Sequence, residues 1–210
     1  MICENWLAWR ALAGPYQGIL FVGREGIVGQ RICSSPEEIE AVFDKLKATA
    51  CPHCKQVGSL IRHGFLRGYD QEQLRGKTVR ARRVFCNNRR RAAGCGRTFS
   101  VWIADKIKRL FLHADSLWAF LQQAVLTGNK LQAFRSLESR LSDSAAYRIW
   151  KRFHKAQSAI RTALNTLCKP PQIASKQPAQ LTLAHLEAAF KPHSLDPVAA
   201  FQVTLQTFFV

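Results

Sequence analysis

Long apolar runs are missing from this sequence of 210 residues. None approaches the roughly 18–20 residues that a membrane-crossing helix needs, so no membrane association is expected. Glu4 stands in MICENWLAWR where an export signal would carry positive charge, and no apolar core follows it. A cytoplasmic, nucleoid-associated protein is the expectation. Cysteine occurs in odd number, seven, and a chain without an export signal has no reason to build a disulfide framework. Acids are scarce too, 14 Asp+Glu against 31 Lys+Arg, for a formal net charge of +17. Hydrophobic residues nevertheless make up 47% of the chain and aromatics 10%, so a disordered polar tract is excluded and a core can be buried. The length allows one domain or two small ones.

The positive charge is segregated. Residues 51–110 carry fifteen basic and three acidic side chains, and residues 111–170 carry nine and three. The flanks, 1–50 and 171–210, are close to neutral. Solubility requires no such segregation. A polyanion-binding surface does, because each phosphate contact releases condensed counterions. The basic stretch lacks the continuous apolar face of an interfacial helix, which favours nucleic acid over a membrane surface.

The pattern divides the chain into five stretches. Residues 1–49 read as a small mixed α/β segment, with a glycine-bracketed hairpin over 18–29 and a helix from Ser35-Pro36-Glu37 to about Lys47. Residues 50–110 hold two strand-like runs, 60–66 and 78–85. Residues 111–168 are helical: a first helix capped by Asp115 or Ser116 and stopped by Gly128-Asn129, a short second one, and a long third one capped by Ser142-Asp143. Residues 169–180 form a linker, and 181–210 a tail with two short helices, the second opened by Asp196-Pro197.

The strongest chemical signal lies in Cys51-Pro52-His53-Cys54 and the later pair Cys86 and Cys95. Two thiolates two residues apart form a knuckle whose turn aims both sulfurs at one tetrahedral ion about 2.3 Å away, and a second pair closes the set. Zinc is the expected cofactor, and its binding would supply folding energy to a module with little core of its own. The second pair has the spacing C-x8-C, wider than the usual knuckle. His53 or His63 is an alternative fourth ligand, whereas Cys3, Cys33 and Cys168 have no partner at ligand spacing. Cys-Pro-His-Cys also occurs in thiol oxidoreductases, but there the motif opens a helix in a βαβ unit, and here it follows a helix.

Together, Cys51-Pro-His-Cys54, the basic hairpin and Phe85-Cys86-Asn-Asn-Arg-Arg-Arg-Ala-Ala-Gly-Cys95-Gly-Arg-Thr-Phe99-Ser resemble the zinc ribbon of insertion-sequence transposases and their DNA-binding accessory proteins. The resemblance covers roughly residues 50–165. It implies a helix-turn-helix after the ribbon and a role at transposon ends or at a promoter.

The third helix fits that role on its own periodicity. At 100° per residue, Ala146, Ile149, Trp150, Phe153, Ile160 and Leu164 cluster within about 60°. Arg148, Lys151, Arg152 and Lys155 fall opposite. Ser144 and Tyr147 sit at the N-terminal end, where a recognition helix meets bases and phosphates. Arg148 is the expected base contact, since its fork pairs with guanine, and the three other cations are expected on phosphate. Arg80 and Arg82 on the second strand, and Arg89, Arg90 and Arg91 in the knuckle loop, complete the expected DNA-binding set. An ordinary bundle helix with a solvated basic face is the bland alternative.

No catalysis is expected. After residue 168 too few residues remain for a strand-transfer domain, and the tail holds only Glu187 and Asp196 as acids. The fold expected is therefore α+β, a small zinc-ribbon hairpin followed by a tri-helical helix-turn-helix. The expected partners are double-stranded DNA and a transposase or other mobile-element protein, with a homodimer left open. Single-stranded RNA is the rival ligand, stacked on Phe65, Tyr69, Phe85 and Phe99, and a protein-docking adaptor is a further rival.

Overall fold

The computed structural model describes residues 30–71, 75–137 and 139–210, so the hairpin expected over 18–29 lies outside the described residues. Among those described, four strands and six helices follow in the order β1 (Gln30–Cys33), α1 (Pro36–Asp44), β2 (Leu60–Gly68), β3 (Thr78–Cys86), β4 (Thr98–Ile103), α2 (Ala114–Thr127), α3 (Lys130–Arg135), α4 (Ser144–Leu164), α5 (Pro178–Phe190) and α6 (Pro197–Leu205). The class is α+β. No described helix is long and apolar enough to cross a membrane.

Most helix ends follow local chemistry. The Ser35 hydroxyl accepts the Glu38 N–H at the start of α1, with Pro36 in the first turn. Asn129 caps α3 and Asp196 caps α6 in the same way. Gly128, at φ +67, ends α2 in the left-handed conformation that a residue without Cβ adopts freely. Two expected caps are not used. At the start of α2 the Gln71 side chain accepts the His113 N–H and donates to the Ser116 hydroxyl, a cap supplied from another part of the chain. At the start of α4 the Asp143 carboxylate makes no capping bond and instead takes the Arg135 guanidinium at 2.5 Å, tying α3 to α4.

The strands form one sheet in the order β1-β4-β3-β2. β2, β3 and β4 are antiparallel, while β1 joins parallel to β4, with Ile32 opposite Trp102. The sequence foresaw β2 and β3 but neither β4 nor this outermost described strand, β1. Gln206, just past α6, closes its outer edge: the side-chain oxygen accepts the Ile32 N–H and the amide nitrogen donates to the Ile32 carbonyl, both at 2.9 Å.

Each sheet face buries a separate core. On one face Cys33, Leu60, Val84, Phe99 and Val101 pack against Ile39, Val42, Phe43 and Leu46 of α1 and the turn after it. On the other, Ile32, Ala81 and Trp102 join a larger core with Leu117, Phe120, Phe134, Ile149, Phe153, Phe201 and Phe209. Each such buried side chain contributes about 1.5–3 kcal/mol relative to exposure. The tail, expected as a small separate segment, thus belongs to the same core as the helices before it. Fully buried Gln202 of α6 fastens it, donating to the Ala104 carbonyl at 2.6 Å and accepting the Phe209 N–H.

A buried polar cluster joins the turn end of the β2–β3 hairpin to the start of α2. Asp70, only 3% exposed, lies 2.8 Å from Lys106 Nζ and 2.5 Å from His113 Nε2. Burying a carboxylate is costly unless it is paired and hydrogen-bonded, and here Asp70 meets two partners from the β4–α2 connection.

Candidate metal centre and cationic helix face

The first knuckle follows the turn that ends α1. The Lys55 N–H bonds the Cys51 carbonyl and the Cys51 N–H bonds the Gln56 carbonyl, with Lys55 in the left-handed region at φ +63. The second begins where β3 ends. There the Gly94 N–H bonds the Asn87 carbonyl and the Gly96 N–H bonds the Cys86 carbonyl, so the extra residues of C-x8-C bulge outward while Cys95 turns back beside Cys86. Gly94 is required by close approach: a Cβ there would lie 2.2 Å from the Asn87 carbonyl oxygen and 2.8 Å from the Cys86 sulfur.

These turns bring the sulfurs of Cys51, Cys54, Cys86 and Cys95 within 4.8 Å of one another. Cys51 Sγ lies 3.8 Å from Cys95 Sγ, and Cys54 Sγ lies 3.7 Å from Cys86 Sγ. An ion binding four thiolates tetrahedrally at about 2.3 Å sets its ligand sulfurs roughly 3.8 Å apart. The cysteines are free of disulfides, and the donor set fits a metal ion. Neither His53 nor His63 belongs to the group.

The surroundings favour thiolate at some positions and oppose it at others. The Gln56 N–H lowers the Cys54 thiol to about 7, whereas burial pushes Cys86 up to about 12 even though the Cys95 N–H points at its sulfur. Burial likewise raises Cys51 against the N–H groups of Cys54 and His53. Backbone donors are thus already aimed at three sulfurs, and a cation held by the four would supply the positive charge that lets them ionise together. Cys33, on the same core face, is pushed by burial to about 11 and lies outside the cluster, and Cys3 lies outside the described residues.

The candidate DNA residues separate into three groups. On α4, Ser144, Tyr147, Arg148, Lys151 and Lys155 are exposed, while Ala146, Ile149, Phe153, Ile160 and Leu164 are buried on the opposite side. No acid occurs anywhere in this 21-residue helix. Arg89, Arg90 and Arg91 are exposed on the second knuckle; Arg90 and Arg91 are both left-handed, at φ +51 and +64, and Arg89 lies 5.5 Å over the Phe85 ring.

Three expected DNA contacts are otherwise engaged. Arg80 is buried, 7% exposed, and donates to the Tyr69 and Ile107 carbonyls at 3.1 and 2.8 Å. The register shift between Leu66 and Arg67 leaves Arg80 without a β2 partner and turns it inward. Arg82 pairs through both guanidinium nitrogens with Glu40 of α1 and lies over the Phe43 ring. Arg152 donates to the carbonyls of Arg109, at 2.9 Å, and Val210, at 3.3 Å. It anchors α4 to the loop before α2.

Sequence reasoning missed the Asp70–Lys106–His113 cluster, because its members lie in two loops whose approach depends on the hairpin's length. It also missed Phe111, exposed beside Tyr69 with ring centroids 6.3 Å apart. Compared with protein-family models, with curated proteins and with solved structures, the chain matches none.

Proposed function

We propose that this chain is a zinc-stabilised protein that binds double-stranded DNA through α4, similar to the DNA-recognition part of a transposase. It serves a mobile element as accessory factor or regulator, without strand-transfer catalysis. The observation that carries the reading is α4 itself: one side is seated in the core, and the other offers Ser144, Tyr147, Arg148, Lys151 and Lys155 with no acid in the helix. Arg148 is the base reader, and Lys151 and Lys155 hold phosphate, with Arg89, Arg90 and Arg91 as an outlying grip. Arg152 leaves the contact set and becomes the anchor that fixes the helix. Zinc is the ion that suits four thiolates at the observed spacing.

The rivals fare less well on the same residues. The RNA reading loses two of its four aromatics, since Phe85 and Phe99 are 8% and 2% exposed. A thiol oxidoreductase needs Cys51 and Cys54 as partners, yet the short sulfur approaches run across the knuckles, Cys51 to Cys95 and Cys54 to Cys86.

Metal content followed by binding to random-sequence duplex across a salt series tests the proposal. About one zinc per chain is expected, with a log–log salt slope of roughly −5 if about six phosphates are met. Arg148→Ala should relax sequence preference in a selected site, and Lys151→Ala should weaken all sequences alike. Salt-independent binding, or none, would overturn it.

A further inference from the structure

We infer that the protein recognises a junction, a duplex that opens into an unpaired strand, with the unpaired bases stacking on Tyr69 and Phe111. This rests on the duplex-binding reading above and names the form of DNA that the surface takes. The aromatics are placed for it by the fold. Tyr69 follows the end of β2 and Phe111 lies in the loop before α2, and they meet edge to face with 42% and 43% of their surfaces open. Buried Asp70, gripped by Lys106 and His113, fixes the chain next to Tyr69.

The pair is joined to α4 through one short piece of backbone. Arg109, two residues before Phe111, sits in the left-handed region at φ +62, unusual for a side chain of its size. Its carbonyl accepts the Arg152 guanidinium from α4. Arg152 stands one helical turn from both Arg148 and Lys155, so the exposed cations of α4, the exposed Arg109 and the two rings occupy consecutive ground. At the hairpin end, Arg67, Arg75 and Lys77 are exposed as well; of the acids described there, Asp70 is buried and paired and Asp105 lies 3.3 Å from Lys106.

Exposed apolar rings alone would suit a protein partner. Rings set among cations suit a polyanion whose bases have π-faces to offer, and stacking on aromatic side chains tolerates any base. A closed duplex hides those faces within its own stack, so the rings gain a ligand only where the strands have parted.

The experiment uses the full zinc-loaded chain and three fluorescent probes: a duplex, the same duplex carrying an unpaired extension on one strand, and that extension alone. Wild type should bind the forked probe about tenfold more tightly than the duplex. Tyr69→Ala and Phe111→Ala should abolish that ratio and leave duplex affinity within about twofold, whereas Tyr69→Phe keeps it. Lys151→Ala, which removes a phosphate contact, should weaken both duplex-containing probes together. Equal binding of duplex and fork by wild type overturns the junction inference and leaves the duplex reading standing. Absence of duplex binding overturns both. Self-association lost in Phe111→Ala, with the fork ratio intact, also overturns it and assigns the rings to a second copy.

Discussion

Withdrawing the metal is the perturbation with the largest expected effect. A ligand that binds only the folded state stabilises it according to its concentration over Kd; at a thousandfold excess this amounts to about 4 kcal/mol. For a chain of this size, each kcal/mol moves Tm by about 2–4 °C, so chelation should lower it by about 8–16 °C. The loss should also be regional. The four sulfurs lie at the core face that contains Leu60, Val84, Phe99 and α1, which a bound ion would cement, while α2 to α6 pack around the other core. Amide hydrogens of β2 and β3 should therefore exchange faster on chelation before those of α2 and α4 do. Protons compete with the metal for sulfur, so affinity should rise with pH through the Cys54 value of about 7 and go on rising, because Cys86 holds its proton to about 12. Calorimetric melting and hydrogen exchange, with and without chelator, read these effects. Unchanged melting and exchange in a preparation free of metal would refute the cluster's structural role.

Two further outcomes follow from contacts elsewhere. Gly94→Ala forces a methyl group against the Asn87 carbonyl and the Cys86 sulfur, and should weaken metal affinity by about 10–100-fold in a competition titration; an unchanged affinity would mean the second knuckle can relax. Asp70→Ala leaves Lys106, partly buried, with Asp105 at 3.3 Å as its one acidic partner among the described residues, and should cost about 3–5 kcal/mol in urea denaturation. A loss below about 1 kcal/mol would show that water replaces the carboxylate.

What the sequence made legible was local. Ser35-Pro36, Gly128-Asn129 and Asp196-Pro197 are signals confined to a few residues, and the helix ends they mark are where they were expected. The convergence of Cys51, Cys54, Cys86 and Cys95 was also readable, since each pair needs only a turn and the strands between them return the chain. What escaped depends on distant partners. Strand alternation puts Arg80 and Arg82 on one open face, but a one-residue slip turns the first inward, and α1 brings Glu40 to the second. Arg152 shares a helical stripe with Lys151 and Lys155, and only the position of the Arg109 loop distinguishes it from them.

The Gln206 amide has a consequence for the sheet as a whole. An outermost strand presents backbone groups to which a strand from another molecule can add, the usual beginning of edge-to-edge aggregation. By occupying both the N–H and the carbonyl of Ile32 with one side chain, the molecule places a non-extendable imitation of a neighbouring strand at that border. At Ile32, on the outermost of the described strands, an adding strand would meet a side-chain amide that cannot pass the pairing on.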